Sequence, residues 1–139
     1  MRIERRFTKP GQSPYAEIEF RKAISEIKNP DGSVVFRLAD IDVPAQFSQV
    51  ATDVLAQKYF RKAGVPKVLK KVEENDVPSF LWRSVADTAA MKDLPEAERY
   101  GSEIDARQVF DRLAGTWAYW GWKGKYFSSE EDALAFRDE

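Results

Sequence analysis

Apolar side chains recur at intervals of three and four residues between residues 102 and 127, the most regular helical pattern in the chain. This spacing places them on one stripe of an α-helix. Gly115 and Gly121 interrupt the pattern, and glycine inside a helix costs about 1 kcal/mol relative to alanine, so we expect close approach of a partner at both. The residues on the predicted stripe, which implies a tightly packed partner surface, are Val109, Phe110, Leu113, Ala114, Trp117, Trp120 and Gly121.

The ends of this helix carry recognisable signals. Ser102 is the predicted N-cap, with Glu103 and Asp105 in the first turn, where the helix dipole favours negative charge. Lys123 and Gly124 are the predicted stop, because a cation suits the last turn and glycine tolerates positive φ.

Alternating apolar and polar residues between Ala16 and Pro44 predict a β-hairpin. The turn is Asn29-Pro30-Asp31-Gly32, in which proline suits the first central position and glycine tolerates positive φ. The residues expected on the inner side are Ile18, Phe20 and Ile24 in the first strand, and Val34, Phe36 and Leu38 in the second.

Helical patterns dominate residues 45–139. The stretch 45–62 predicts a helix that ends before Gly64 and Pro66, followed by a short helical piece at residues 80–85 and a loop from Asp87 to Gly101. The first of these helices is expected to turn Phe47, Val50, Ala51, Val54, Leu55 and Tyr59 toward a core. The predicted fold class is therefore α+β, an N-terminal hairpin (16–44) followed by a mainly helical part (45–139).

A last helix is predicted from Ser129 to Glu139, opened by a capping box from Ser128 to Glu131. It presents Leu134 and Phe136, and the chain stops without glycine, asparagine or proline. We therefore expect this helix to be truncated.

Residues 1–15 are basic and rich in glycine and proline, which predicts an extended arm. An arm that grips an acidic surface or a phosphate is the alternative that the sequence leaves open.

The composition mainly excludes certain classes of protein and certain kinds of site. With 139 residues, 43% hydrophobic residues and a net charge of −1, the chain suits one folded domain without a field that attracts nucleic acid. No apolar run is long enough for a membrane span, and the N-terminus lacks the apolar core of a signal peptide, so a cytoplasmic location is expected. The absence of cysteine and histidine excludes thiol nucleophiles, disulfides, and metal sites built on those residues.

Three clusters of residues are candidate functional sites. Asp40 and Asp42 form a weak metal pair, because aspartate is common at strand ends. The basic cluster Arg61, Lys62, Lys67, Lys70 and Lys71 is more typical of a solvated helix face than of a nucleic-acid site. The aromatic cluster Trp117, Tyr119, Trp120, Trp122, Tyr126 and Phe127 is more typical of a core or interface than of a base-stacking platform.

Four separated blocks of the sequence carry a recognisable pattern. The blocks are Phe47-Ser48-Gln49-Val50-Ala51-Thr52-Asp53 with Lys58-Tyr59-Phe60-Arg61, then Val77-Pro78 with Leu81-Trp82-Arg83-Ser84, then Ala106-Arg107-Gln108-Val109-Phe110-Asp111-Arg112-Leu113-Ala114-Gly115, and last Trp120-Gly121-Trp122-Lys123-Gly124 with Tyr126-Phe127-Ser128 and Glu130-Glu131-Asp132-Ala133. In this order they resemble the N-terminal region of adenosylcobalamin-dependent (class II) ribonucleotide reductases. Lys125 departs from the resemblance, which implies a second glycine at this position.

The resemblance implies an enzyme that converts ribonucleotides to deoxyribonucleotides for DNA synthesis, using adenosylcobalamin, a cysteine thiyl radical and a cysteine pair. A chain without cysteine cannot carry out those steps, so we expect a non-catalytic structural module (16–139, after the arm) that lacks the catalytic α/β barrel and binds no cofactor itself. Substrate and nucleotide effectors would act through the full enzyme. The residues expected to contact the missing barrel are Trp117, Trp120, Trp122, Phe127 and Phe136, and self-association through this surface is a further expectation.

One alternative stays open at this point. A free-standing module could use the aromatic and basic patches to bind a nucleotide or a protein.

Overall fold

The computed structural model describes all 139 residues, Met1–Glu139. They form two compact units. The hairpin unit comprises Ile18–Val65 and Tyr100–Phe110, and the helical unit comprises Met1–Glu17, Pro66–Arg99 and Asp111–Glu139. The predicted α+β class is confirmed, with a hairpin followed by helices and small sheets.

Six strands and three α-helices make up the regular structure. The strands pair only in twos: β1 with β2, β3 with β6, and β4 with β5. The elements in chain order are β1 (Phe20–Lys28), β2 (Val34–Pro44), α1 (Gln49–Val54) continued by a π-helical turn (Leu55–Tyr59), β3 (Val65–Pro66), β4 (Leu69–Lys71), a 3-10 turn (Ser79–Leu81), β5 (Ser84–Ala86), a second 3-10 turn (Glu96–Glu98), β6 (Tyr100–Gly101), α2 (Ala106–Lys123) and α3 (Glu130–Asp138).

The predicted hairpin turn is confirmed. The N–H of Gly32 donates to the carbonyl of Asn29 (2.9 Å), and the N–H of Asn29 donates to the carbonyl of Ser33 (2.8 Å). Gly32 has φ +87°, so the three-residue loop ends in the left-handed conformation that closes such a hairpin. The carboxylate of Asp31 accepts a hydrogen bond from the Ser33 N–H (2.8 Å) and stabilises the turn.

In β1 the side with the predicted apolar residues is not the buried one, and in β2 the alternation of sides changes at a β-bulge. Ala23 pairs with Ile41 and Ser25 pairs with Leu38, so two residues of β2 lie opposite one residue of β1. Asp40 lies in this bulge with φ +54°. The extra residue reverses the alternation along β2, and Ile41 comes to the same face as Leu38.

The buried face of the hairpin is therefore built from residues that the simple alternation assigned to the other side. Ala23, Ser25, Ile41 and Val43 are buried, whereas Ile24 is exposed on the opposite face. Ser25 is tolerated in the core because its hydroxyl donates to the Asp53 carboxylate at 2.7 Å and accepts from the Gln57 amide at 3.1 Å.

Helix α1 is shorter than predicted and buries a different face. It begins after Ser48, whose hydroxyl accepts from the Ala51 N–H at 3.1 Å. Val50 is 72% exposed, and Val54 and Tyr59 are also exposed. Leu55 is buried as predicted, and the other buried residues of this segment are Thr52, Ala56 and Phe60. The predicted apolar residues lie on more than one face of the helix, and only one face is buried in this unit.

Residues 66–99 contain strands that the sequence analysis missed. Leu69 pairs with Ala86 and Lys71 with Ser84, so Lys70 and Lys71 lie on a strand rather than on a helix face. Helical structure in this part is limited to the two 3-10 turns, and the predicted helix at 80–85 is wrong beyond Leu81.

The core of the helical unit is formed by small and medium side chains. Its buried members are Val77, Leu81, Ala118 and Ala133, and larger aromatic side chains, including Trp82, pack around them. The indole N–H of Trp82 donates to the carbonyl of Val77 at 2.8 Å. Small residues on α2 and α3 allow the two helices to share this core.

The start of α2 lies later than predicted. Asp105 rather than Ser102 acts as the cap, because its carboxylate accepts from the Arg107 N–H at 2.9 Å. The side-chain oxygen of Gln108 accepts in return from the Asp105 N–H at 3.1 Å. Gln108 thus reaches back to the cap as in a capping box, while Asp105 caps the amide of Arg107, the second helical residue.

Helix α3 is capped by Ser129, one residue later than predicted. The Ser129 hydroxyl accepts from the Asp132 N–H at 3.1 Å. Three acidic residues follow in the first turn, where the helix dipole favours them. No helix of the chain is both long and apolar enough to cross a membrane.

Candidate functional site

An open apolar groove lies in the helical unit, with a cavity volume of about 240 Å3. Its walls come from the N-terminus, the last two turns of α2, the turn after α2 and the end of α3. We call it the aromatic groove. The lining residues are Met1, Trp117, Trp120, Gly121, Tyr126, Phe127 and Phe136.

Four of the five residues predicted to contact the remainder of the chain lie together in this groove: Trp117, Trp120, Phe127 and Phe136. The fifth, Trp122, does not line it. Trp122 packs against the core of the helical unit, and its indole N–H donates to the carbonyl of Asp76 at 2.7 Å. A contact of Trp122 with the remainder of the chain stays a prediction, separate from the groove.

Part of the predicted apolar stripe of α2 lies at the surface of the helical unit. Trp117 and Trp120 of this stripe are 52% and 63% exposed. The buried residue of this part of the helix is Ala118, which contacts the core of the helical unit. An alanine lets the helix approach that core closely, and the bulky indoles remain on the other side.

Gly121 lets an aromatic ring pack directly on α2. A Cβ atom at this position would lie 2.5 Å from the Phe127 ring, far inside van der Waals contact. Phe127 in turn packs on Phe136 with ring centroids 5.3 Å apart and planes tilted by 50°. The predicted close approach is thus confirmed at Gly121. It is wrong at Gly115, where a Cβ atom would meet nothing within 4 Å.

The turn after α2 directs Tyr126 and Phe127 toward the groove. The N–H of Lys125 donates to the carbonyl of Trp122 at 2.9 Å, and the N–H of Tyr126 donates to the carbonyl of Gly121 at 3.0 Å. This pair of bonds is a Schellman motif, with Lys125 in the left-handed conformation at φ +58°. Positive φ was predicted for Gly124 and is found one residue later.

The first residue of the chain forms part of the groove wall. The Met1 ammonium donates to the carbonyl of Tyr126 (2.6 Å) and to the hydroxyl of Ser128 (3.0 Å). The carbonyl of Met1 accepts from the Ser128 N–H at 2.9 Å. These bonds hold the Met1 side chain beside the aromatic rings.

The rest of the arm is bound along α3. The N–H of Ile3 donates to the Asp132 carboxylate at 2.7 Å. Arg5 forms an ion pair with Asp138 at 3.0 Å, in which the aspartate side chain is only 4% exposed. The arm thus contacts an acidic surface of its own chain. These contacts join residues more than 120 positions apart, and the sequence did not predict them.

Glu139 is held by three consecutive backbone N–H groups. Arg6, Phe7 and Thr8 donate to its carboxylate at 2.9, 3.1 and 2.8 Å. The Thr8 hydroxyl also donates to it, and this bond, followed by the backbone bonds, lowers the pKa of Glu139 from 4.5 to about 2. Successive N–H groups that converge on an anion form a nest, so the arm fixes the residue at the end of α3.

A polar cluster joins α2 to the loop before the first 3-10 turn. Glu74 accepts from Lys123 at 2.8 Å and from the hydroxyl of Tyr119 at 2.9 Å. These two hydrogen bonds lower the pKa of Glu74, and the same carboxylate raises the pKa of both Lys123 and Tyr119. The hydrogen bonds of these three side chains are made within the cluster, which links α2 to the preceding loop.

The two aspartates of the candidate metal pair do not form a metal site in the structure. Asp42 is paired with Lys22 at 2.9 Å, while Asp40 occupies the β-bulge. No group of three or more histidine, cysteine, aspartate or glutamate side chains is arranged to hold a metal ion. The aromatic groove is smaller than the roughly 300–1,000 Å3 of sites for drug-sized ligands, and its lining side chains are apolar or aromatic.

Comparison with known proteins gives a consistent result. A family model described as "Class II vitamin B12-dependent ribonucleotide reductase" matches residues 21–139. Similar curated proteins, each named vitamin B12-dependent ribonucleotide reductase, come from Agrobacterium fabrum (92% identical over 139 residues), Bradyrhizobium diazoefficiens (70% over 139 residues) and Streptomyces avermitilis (30% over 141 residues). Each match covers the whole of this chain but only 11% of the relative.

Proposed function

The chain belongs to the class II vitamin B12-dependent ribonucleotide reductases and corresponds to their N-terminal region, and we propose that it is a non-catalytic structural module of such an enzyme. The full protein would convert ribonucleotides to deoxyribonucleotides by thiyl-radical chemistry. The module would contribute binding surface to the rest of its own chain. The family membership, together with the absence of every cysteine, carries this proposal.

The amino-acid composition supports a division of labour along the full chain. A thiyl radical and a reducing cysteine pair require at least three thiols, and residues 1–139 contain none. They also contain no histidine, so there is neither an imidazole ligand nor an imidazole general base. The reactive groups would therefore belong to the part of the protein beyond this module.

The residues present do not fit adenosylcobalamin either. The aromatic groove has a volume of about 240 Å3, and a corrinoid is far larger than that. Its lining offers only a few side-chain hydrogen-bond partners, the indole N–H groups of Trp117 and Trp120 and the hydroxyl of Tyr126, for the many amide groups of a corrin. We therefore propose that cobalamin, ribonucleotide substrate and nucleotide effectors all bind in the remainder of the enzyme, which we expect to act in the cytoplasm.

The first test compares two purified proteins, residues 1–139 and the full-length chain. Ribonucleotide reduction with adenosylcobalamin and a dithiol is expected for the full-length protein only. Isothermal calorimetry is expected to show no cobalamin binding to residues 1–139. Turnover or tight cobalamin binding by these residues alone would show that the cofactor site has been misplaced.

The second test is the open reading frame of the gene. We expect the codons after Glu139 to continue into a long cysteine-containing segment. A stop codon directly after Glu139 would contradict the proposal and would favour a free-standing module that binds a nucleotide or a protein.

A further inference from the structure

We propose that the aromatic groove is the docking site for an apolar segment of the same chain that lies beyond Glu139. This inference rests on the proposed function, because it assigns the partner of the module to the remainder of the enzyme. The groove would take one or two large apolar side chains of that segment, as its volume of about 240 Å3 and apolar walls allow.

Exposure of large aromatic side chains is the first observation behind the proposal. Trp117, Trp120 and Tyr126 are each at least half exposed, and all three line one groove rather than being scattered. Contiguous apolar surface of this kind marks interaction sites on soluble proteins, whereas single exposed apolar residues are ordinary. Tryptophan and tyrosine are also the residues most enriched where binding energy is concentrated.

The walls of the groove are fixed before any partner arrives. Phe127 is wedged between Gly121 and Phe136, and the Met1 backbone is tied to Tyr126 and Ser128. A site with rigid aromatic walls loses little conformational entropy on binding. Such preorganisation is expected of a built docking site and distinguishes the groove from loosely packed surface.

The position where the described chain ends favours the same chain as the occupant. Phe136 lines the groove, and Glu139 follows three residues later, a rise of roughly 5 Å along a helix. Glu139 is held by the nest of Arg6, Phe7 and Thr8, so the starting point of the following residues is fixed within the helical unit. Relatives extend far beyond the matched region, which is 11% of their length.

Covalent attachment to the module raises the local concentration of such a segment at the groove. A segment joined directly to α3 has an effective concentration of order mM at the groove, so a few apolar contacts suffice to keep it bound. A second copy of the chain would have to compete with that concentration from solution.

The experiment uses the full-length protein with Tyr126→p-benzoylphenylalanine, a photoreactive aromatic residue at the rim of the groove. Equal amounts of unlabelled and 15N-labelled protein are mixed, irradiated and analysed by mass spectrometry. Tyr59, similarly exposed but located in the hairpin unit, is replaced in the same way as the matched control.

We expect crosslinks from position 126 to a peptide beyond residue 139, within single isotopic species. Crosslinks that join labelled to unlabelled chains would overturn the proposal in favour of a second copy. Crosslinking no stronger than from position 59 would overturn it as well. These outcomes are independent of catalysis, so an active enzyme with a vacant groove would refute the docking proposal and leave the proposed function intact.

A second measurement needs no substitution. Hydroxyl-radical footprinting of the full-length protein reports the accessibility of each tryptophan. We expect Trp117 and Trp120 to be oxidised as slowly as Trp82, which packs against the core of the helical unit. Oxidation of Trp120 several-fold faster than Trp82 would show that the groove is open in the full-length protein and would contradict the proposal.

Discussion

Two glycines on α2 provide a matched test of how the helix packs. Gly115 and Gly121 lie in the same helix, six residues apart, and each is replaced by alanine. At Gly115 the added methyl group meets no atom within 4 Å. Only the helix preference then acts, and alanine is favoured over glycine by about 1 kcal/mol in a helix interior. Gly115→Ala is therefore expected to raise the free energy of unfolding by about 1 kcal/mol.

At Gly121 the same helix preference is opposed by a steric conflict. The added Cβ atom would lie 2.5 Å from the Phe127 ring, which is itself packed against Phe136. Extra atoms in a packed site typically cost 1–3 kcal/mol, so a cost of about 2 kcal/mol outweighs the gain and leaves a net loss of about 1 kcal/mol. The two variants are thus expected to differ by about 2 kcal/mol, with opposite signs relative to the wild type.

Thermal unfolding followed by circular dichroism measures this difference. An unfolding entropy of about 2.1 cal/mol/K per residue corresponds to about 0.3 kcal/mol/K for 139 residues. The melting temperatures of the two variants should therefore lie about 7 °C apart, with Gly115→Ala the higher. If Gly121→Ala were as stable as Gly115→Ala, Phe127 would have to move at no cost, and the description of a rigid groove wall would be wrong.

Three further predictions concern backbone conformation and the arm. Gly32→Val should lower the free energy of unfolding by about 1 kcal/mol or more, because Gly32 has φ +87°; an unchanged melting temperature would argue against the turn. Lys125→Gly should raise the melting temperature by about 2–3 °C, because it relieves left-handed strain at φ +58°, whereas Lys125→Ala should not. The pKa of Glu139 is lowered from 4.5 to about 2, so its stabilising contribution should be complete above pH 4.5 and lost as the pH falls toward 2. Urea unfolding of the wild type and Glu139→Gln over that pH range should show the two stabilities converging, and a constant difference would contradict the nest.

The hairpin shows how far the sequence allowed prediction and where it stopped. The turn was predictable because Asn29-Pro30-Asp31-Gly32 has a local cause for each backbone angle. The buried face was predictable only in part, because an inserted residue at Asp40 reverses the side chains that follow it in β2, and in β1 the buried positions are the small residues Ala23 and Ser25 rather than Ile24. A signal for the bulge was nevertheless present, since the apolar positions of β2 change from even numbers at Phe36 and Leu38 to odd numbers at Ile41 and Val43.

Helix α2 shows a different limit. Its existence and its end at Lys123 followed from periodicity and a stop signal, and the prediction of tight packing at Gly121 was confirmed. Periodicity alone could not decide which side of the helix meets its own core. Ala118, which lies outside the predicted stripe, is the residue of this part of α2 that is buried in the core of the helical unit.

The aromatic groove was predicted only in part, for a related reason. Four lining residues came from the aromatic pattern and from the resemblance to a reductase. Met1 and the bound arm depend on hydrogen bonds to residues more than 120 positions away, such as Met1 to Ser128, and no local pattern reports contacts at that separation.

The binding of the arm to α3 also determines the order in which this region can mature during synthesis. Thr8 donates to Glu139 across 131 positions of sequence, and a ribosome adds roughly 5–20 residues per second. The arm is therefore synthesised roughly 7–26 s before Glu139. The hairpin of β1 and β2 needs only residues 20–44 and can close during that interval. The arm is thus translated before the hairpin but can dock on Glu139 only after the hairpin has had time to close.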